Sequence, residues 1–467
     1  MLIQSISGIR GVYEKDLTLD VVRRYALAFY QFLNKKSTKI KIVIGSDSRP
    51  SGYYIKREFL RILSSYDTEL IDVDINTTPA IQLGVREYKA DGGIIITASH
   101  NPPEYNGIKF LNNGGTIIEK KDFEEINQYF NDIQEIPILK PNFGRVIDKS
   151  IDLRQRYINF LCEMTGKEGT NNIKDLNQMV VLDPNGGAAS VILKELFERI
   201  EFPVVLINNT LGEFKREIEP TEKSLAYLVD LLQKRKAHFA AGFDCDADRV
   251  EIILSEGTML SGNHILALLF GEILSRNPHP EQQTIVVNDA TSYLVKDVVE
   301  KYGAHYKEVE VGEINVVHEM YKVGAIAGGE GSSGGAIFPP STCRDGVLAL
   351  LLLLKLMACK QKSLKELIKE LPTYFTLHGK LKCENDLVDM KNKLKRYFMS
   401  QHYTISETGD NTGGLKIHIT DSSWIWYRMS KTEPGIFRII VDSKDEQEAK
   451  RLFKEGIYIF NTISGKA

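Results

Sequence analysis

The chain has 467 residues, 43% of them hydrophobic and 26% charged, with a formal net charge of -3. That length exceeds one ordinary domain and, at roughly 100–200 residues each, predicts three or four. Near-neutral charge without a basic stripe or an acidic tail excludes nucleic acid as an expected partner, so any anion must be met by a local site.

In chain order, residues 1–11 show no signal peptide. "KIVIGSDSRPSG" then predicts a strand from about Lys41 that ends at Asp47 and turns into a helix. "GGIIITASHNPPEYNGIKF", beginning at Gly92, predicts a buried strand through Ile94, Ile95 and Ile96, after which Asn101-Pro102-Pro103 forces an extended turn. Ser99 therefore sits at a strand's carboxyl end, where open α/β sheets bind ligands. The functional reading is a nucleophile or phosphate carrier, and the alternative is an ordinary loop serine.

"MVVLDPNGGAAS" from Met179 and "TIVVNDATSYLV" from Thr284 repeat the pattern of short strand, Asp (Asp183, Asp289) and turn into a helix. Each of the three is followed by a second strand that ends in an unusual loop: "GGIIITASH", "HFAAGFDCDADRV" and "VGAIAGGEGSSGG". Helical patterns such as 193–199 and 226–236 alternate with these strands, which indicates βαβ units. The greasiest stretch, 347–358, is too short to span a bilayer and carries Lys355, so it reads as a buried core helix. After Leu371-Pro372, "TYFTLHGKLKC", "GLKIHIT", "SWIWYRMS" and "FRIIVD" are strand-like, with helices at 388–398 and 446–453.

The predicted class is α/β. Three similar α/β domains with mixed sheets, 1–148, 149–254 and 255–367, precede a smaller α+β domain, 368–467. Five scattered cysteines (Cys162, Cys245, Cys343, Cys359, Cys383) without a C-x-x-C spacing suit a reducing cytoplasm, the expected location, and argue against a disulfide or zinc framework. No membrane partner is expected.

The loops carry chemistry. "DCDADR" sets Asp244, Asp246 and Asp248 at alternate positions, a hard oxygen set suited to Mg²⁺. It is not an EF-hand, because Arg249 and Ser255 stand where that loop has Gly and Glu. A solvated acidic turn is the alternative, but three crowded carboxylates beside apolar strands repel without a counter-ion. Arg249 offers a planar donor fork to a phosphate oxygen. In "GGEGSSGG", Glu330, Ser332 and Ser333 suit sugar hydroxyls, although Gly/Ser loops are commonly only loops. "YRMSKTEPGIFR" gathers Arg428, Ser430, Lys431, Thr432 and Arg438 around a turn that is either a phosphate nest or a basic surface turn.

"TASHNP", "DCDADR", "GGEGSSGG" and "RMSKTEP", in this order and at these wide spacings, resemble the four signature loops of the α-D-phosphohexomutase superfamily, and the resemblance covers nearly the whole chain. "SGIRG" (residues 7–11) is similar to the family's N-terminal substrate and phosphate loop. The resemblance implies four domains around a central cleft. It also implies that Ser99 carries a phosphoryl group and ligates Mg²⁺ with Asp244, Asp246 and Asp248. Lys109 occupies the N-G-x-K position near the phosphoserine, and Arg10 matches the arginine of the N-terminal loop. By the same resemblance Glu330 and Ser332 contact sugar hydroxyls, while Arg428, Ser430 and Thr432 grip the phosphate that is not reacting; "VGEINVV" (311–317) is similar to a specificity segment.

The implied activity is interconversion of hexose 6-phosphate and hexose 1-phosphate through a phosphoserine and a sugar bisphosphate, the bisphosphate also acting as primer. Catalysis would fall to Ser99, Lys109, Arg10 and Arg249, and the partner is a hexose phosphate, with a monomer or homodimer expected. Cys245 stands where the family usually has Gly, and Gly334 or Gly335 where many members have His; Lys431 and the extra Ser333 also depart from the pattern. The glycine-rich sugar loop favours glucosamine phosphate, with mannose or glucose phosphate as the alternative. A non-catalytic sugar-phosphate sensor and a metal-dependent phosphatase using Ser99 are the readings from other classes.

Overall fold

The computed structural model describes residues 2–35, 37, 39–137, 144–384, 386–430 and 435–465. The chain divides into two compact units, Met1–Leu260 with Ile337–Ser363, and Ser261–Ala336 with Leu364–Ala467.

The first unit contains two mixed sheets. One orders seven strands as Ile3–Ser5, Gly8–Val12, Tyr105–Leu111, Gly92–Ile96, Ile40–Ser46, Thr68–Ile75 and Arg145–Asp148. Ile40–Ser46 runs parallel to both Thr68–Ile75 and Gly92–Ile96, and Tyr105–Leu111 returns antiparallel to Gly92–Ile96, setting Lys109 opposite Ile95. The isoleucine run is explained by helices on both faces. Ile94 and Ile96 join Phe29 of helix Leu19–Asn34 and Phe59 of helix Pro50–Leu63, whereas Ile95 points the other way, to Ile81, Val85 and Leu153. Thr18 caps the first of these helices by accepting from Val21 N, and Pro50 opens the second, where its missing N–H costs nothing.

The second sheet orders Met259–Leu260, Val250–Leu254, Phe239–Phe243, Val180–Asp183 and Val204–Leu206. Phe239–Phe243 is parallel to Val180–Asp183 and antiparallel to Val250–Leu254. The serine loop and the aspartate loop therefore occupy the same place in their repeats, each between a strand parallel to the first strand of its repeat and a returning antiparallel strand. Helix Gly346–Lys360 also belongs to this unit and packs on helices Ser150–Thr165 and Lys167–Lys174. Its apolar residues are buried nearly all round, as a core helix requires. No helix among the described residues is long and apolar enough to cross a membrane.

The second unit holds strands His305–Val309, Thr284–Asn288 and Ala327–Gly329, mutually parallel across Thr284–Asn288. Its other sheet is antiparallel throughout, in the order Phe375–Lys382, Ile436–Ser443, Ser423–Met429, Leu415–Thr420 and Thr404–Glu407. Helices Leu387–Ser400 and Glu446–Ser464 bury Leu394, Phe398, Leu452 and Phe460 with Tyr427 and Ile439 of that sheet.

Three sequence expectations differ in detail. The helix expected at 226–236 is Leu228–Arg235, and a separate helical turn, Glu222–Leu225, precedes it, started by the reciprocal cap of Thr221 and Ser224. The last helix runs to Ser464 rather than 453, since Ile459 and Phe460 continue its apolar face. Strand Thr404–Glu407 was not anticipated.

Candidate active site

In the first unit, Ser99 follows strand Gly92–Ile96 in the left-handed region, φ 51°, and is 2% exposed. Its N–H donates to Thr97 Oγ1 at 2.8 Å and its Oγ to Asp244 Oδ2 at 3.0 Å. Arg49, also 2% exposed, anchors the loop. Its Nε donates to Asp47 Oδ2 at 3.1 Å, and its two terminal nitrogens donate to the carbonyls of Ser99, Asn101, Pro102 and Tyr105. The prolines leave an irregular turn whose carbonyls would otherwise be buried without donors, and one guanidinium satisfies four of them.

Gly107 lets the returning strand close in. A Cβ there would lie 2.5 Å from Thr97 O and 2.6 Å from Ile9 O. Two residues on, buried Lys109 donates from Nζ to Asp246 Oδ2 at 3.0 Å, and Thr78 Oγ1 donates to the same oxygen at 2.8 Å. Arg10 donates from Nη1 to Asn101 Oδ1 at 3.0 Å.

Asp244, Asp246 and Asp248 are all buried, and each offers a carboxylate oxygen within 4.8 Å of the others. Burial, then Asp248 and Asp246, push Asp244 well above the usual carboxylate range. Burial also acts on Asp246, but Lys109, Thr78 and Arg10 outweigh it and hold that carboxylate low. Arg344 Nη2 donates to Asp248 Oδ2 at 3.2 Å, and Arg249 Nε lies 4.0 Å from Asp244 Oδ2 and 3.8 Å from Asp248 Oδ1. Asp246 Oδ1 and Asp248 Oδ1 are buried with no hydrogen-bond partner. A divalent cation fits such a set, since buried oxygens without donors are costly and a hard cation takes carboxylate oxygens. Burial, then Arg249 and Arg10, pull His100 down to about 2, so its ring is neutral beside these cations.

In the second unit, Glu330 is 5% exposed, and its Oε1 accepts from Asn288 Nδ2 and Gly312 N, both at 2.9 Å. Ser332 is exposed while Ser333 is buried, so the two serines of the sugar loop are not equivalent. Arg428 Nη2 donates to Glu310 Oε1 at 3.3 Å, and Ser430 N donates to Ile436 O at 2.8 Å. Arg428 and Arg438 stand directly opposite each other on antiparallel strands. Thr432 and Lys431 lie outside the described residues.

The structure thus brings together Ser99, Lys109, Arg249 and the three aspartates, with Arg10 joined to the serine loop through Asn101. It adds residues not foreseen as parts of the site: Arg49, Thr78, His100 and Arg344. Arg49 had a local signal, an arginine two residues after the recurring Asp47 and just before a helix-opening proline. Thr78 and Arg344 had none.

Three family models match the chain. "Phosphoglucomutase/phosphomannomutase, alpha/beta/alpha domain I" covers residues 2–137, domain II covers 155–257 and domain III covers 261–375. The chain is 33% identical to a phosphoglucomutase/phosphomannomutase of Thermococcus kodakarensis, over 96% of each chain. It is 30% identical to a phosphoglucosamine/phosphogalactosamine mutase of Sulfurisphaera tokodaii, again over 96% of each. Among solved structures, a phosphoglucomutase/phosphomannomutase family protein of Burkholderia thailandensis has the same fold, with a TM-score of 0.82 and 21% identity over 99% of this chain and 98% of that one. Sequence, fold and loops agree: the chain belongs to the phosphoglucomutase/phosphomannomutase family of the α-D-phosphohexomutase superfamily and is a phosphohexomutase.

Proposed function

We propose that this phosphohexomutase interconverts hexosamine 6-phosphate and hexosamine 1-phosphate, with glucosamine phosphate as substrate, through phospho-Ser99 and a sugar bisphosphate. One observation carries the reading: Ser99 Oγ is buried 3.0 Å from Asp244 Oδ2, beside two aspartate oxygens that have no hydrogen-bond partner. In the first half-reaction Ser99 gives its phosphoryl group to the free hydroxyl of the monophosphate. In the second the bisphosphate, turned end for end, returns its other phosphoryl group to Ser99.

Asp244, Asp246, Asp248 and phosphorylated Ser99 would hold Mg²⁺, which supplies neutralisation of charge on the group in transfer. Lys109 and Arg249 add fixed positive charge, and Arg10 contacts substrate phosphate from the serine-loop side. Positioning and charge dominate phosphoryl transfer, so rigid anchoring of Ser99 by Arg49 serves the chemistry directly. Glu330 and Ser332 are assigned to the sugar hydroxyls, and Arg428, Ser430 and Thr432 to the phosphate that is not reacting.

The glycine-rich sugar loop and the name of the Sulfurisphaera relative support glucosamine phosphate. The name of the Thermococcus relative supports the second reading, glucose or mannose phosphate. Turnover of the three monophosphates side by side, each after priming with its bisphosphate and Mg²⁺, decides between them. The highest kcat/KM is expected for glucosamine phosphate; a preference for glucose or mannose phosphate overturns the assignment. Release of free phosphate without isomer would replace the mutase reading with a phosphatase.

A further inference from the structure

Three of the cationic side chains around the triad, Lys109, Arg10 and Arg249, come from segments that the sequence marks. The fourth comes from elsewhere. Arg344 is 6% exposed and lies on the segment that re-enters the first unit just ahead of helix Gly346–Lys360. We propose that Arg344 is a positioning residue of the metal centre: it pins one oxygen of Asp248 so that the other is presented to the cation. The proposal rests on the reading of the triad as a Mg²⁺ site.

The geometry separates the two oxygens of Asp248. Oδ2 accepts from Arg344 Nη2 at 3.2 Å, whereas Oδ1 is buried and has no hydrogen-bond partner. With Oδ2 held by Arg344, rotation of the carboxylate is restrained, so the lone pairs of Oδ1, which Arg249 Nε approaches only to 3.8 Å, have a set direction.

The backbone that carries Arg344 is itself fastened on both sides. Thr342 Oγ1 lies 2.6 Å from Gln82 Oε1 and accepts from Arg86 Nη1 at 3.0 Å. Asp345 accepts from Tyr157 Oη at 2.8 Å on each oxygen and caps the helix by accepting from Leu348 N at 2.9 Å. Gly346 N donates to Ala247 O at 3.2 Å, inside the aspartate loop, and a Cβ on Gly346 would lie 2.7 Å from the carbonyl of Arg249. Only glycine permits that approach, so the segment and the aspartate loop are built as one piece. An arginine tied down this firmly has lost its chain entropy already on folding and orients its partner at little further cost.

Two effects of Arg344 on a cation oppose each other. Its positive charge repels a divalent ion, so charge alone predicts tighter binding when it is removed. Orientation predicts the reverse, and outer hydrogen-bond partners of metal ligands are typically worth about 10- to 100-fold in affinity. Direct contact with a ligand oxygen favours orientation, and the sign of the change separates the two.

The test measures divalent-cation affinity without turnover, by Mn²⁺ electron paramagnetic resonance titration and Mg²⁺ competition on the purified full chain. Wild type, Asp248→Asn, Arg344→Ala and Arg344→Gln are compared, with thermal unfolding run on each. The expected result is a 10- to 100-fold loss in Arg344→Ala and a smaller loss in Arg344→Gln, which keeps an N–H donor for Asp248 without the charge. Unchanged or tighter binding in Arg344→Ala, with Asp248→Asn weakened, overturns the role of Arg344 alone. If Arg344→Ala does not fold, Arg344→Gln and Arg344→Lys carry the test, and wild-type affinity in both overturns the proposal. Absence of any Asp248-dependent binding in the wild type overturns the metal reading and the proposal together.

Discussion

Arg49 and Asp47 form an ion pair at 3.1 Å in which both side chains are fully buried, and the same guanidinium donates to the carbonyl of Ser99 at 2.7 Å. The pair is thus the floor of the serine loop. Removing one partner of a buried pair typically costs about 3–5 kcal/mol, because the other charge is stranded. Arg49→Met is expected to lose stability of that order in urea unfolding. It should also take up phosphate at Ser99 poorly from a sugar bisphosphate, as read by peptide mass spectrometry. A variant with wild-type phosphorylation would mean that the loop holds its shape without this anchor.

Ser99→Ala removes a hydroxyl whose only assigned task is to carry the phosphoryl group. The fold should persist while turnover disappears and no phosphoryl group is found after bisphosphate treatment. Full phosphorylation at another residue, with turnover retained, would move the nucleophile elsewhere.

Three buried carboxylates proposed to hold Mg²⁺ are expected to make the native state sensitive to divalent cations. A ligand that binds only the folded form at about 100 times its Kd adds about 2.7 kcal/mol, so Mg²⁺ should raise the unfolding temperature of the wild type. The rise should vanish in Asp248→Asn, and chelation should abolish turnover. Equal melting with Mg²⁺ and with chelator would count against the site.

Arg428 is expected to act on binding more than on the chemical step. A charge-assisted hydrogen bond is worth roughly 1.5–3 kcal/mol, so Arg428→Ala should raise KM by about 10- to 150-fold for both monophosphates. It should also need more added bisphosphate to stay phosphorylated. Normal KM values with no greater need for primer would remove Arg428 from the phosphate clamp.

Asp345 gives a pH signature. Burial pushes its carboxyl up to about 6, against hydrogen bonds from Leu348 and Tyr157 that favour the charged form. A folded pKa above the unfolded one means that this group's contribution is fully present below about 3.9 and is lost as pH rises through about 6. Asp345→Asn cannot ionise, so relative to the wild type it should gain stability between pH 4 and pH 7, by up to about 3 kcal/mol. Parallel stability curves for the two proteins across that range would show that Asp345 is not held protonated.

Much of the site was readable because its residues carry local signals. The isoleucine run and the double proline marked Ser99, alternate aspartates marked the triad, and the order of four loops marked the family. Contacts made across long stretches of chain left no such trace. Thr78 meets Asp246 from 168 residues away, and Arg344 meets Asp248 from 96. Neither a threonine opening a helix nor an arginine before a greasy one announces its partner, because the fold alone supplies it. Strand Thr404–Glu407 escaped notice for a different reason: "TISE" is four residues on a sheet edge, with too little alternation to register.

Helix Gly346–Lys360 completes the first unit although 76 residues of the second, Ser261–Ala336, precede it in the chain. During synthesis the aspartate loop therefore emerges from the ribosome about a hundred residues before Arg344 and the helix that seats it. At about 5–20 residues per second that is a wait of several seconds. Over that interval the nascent chain holds Asp248 without its Arg344 partner and an uncovered apolar surface on helices Ser150–Thr165 and Lys167–Lys174. Release of a chain cut after Leu260 would make the condition permanent, so such a fragment is a candidate for chaperone capture rather than a freestanding domain.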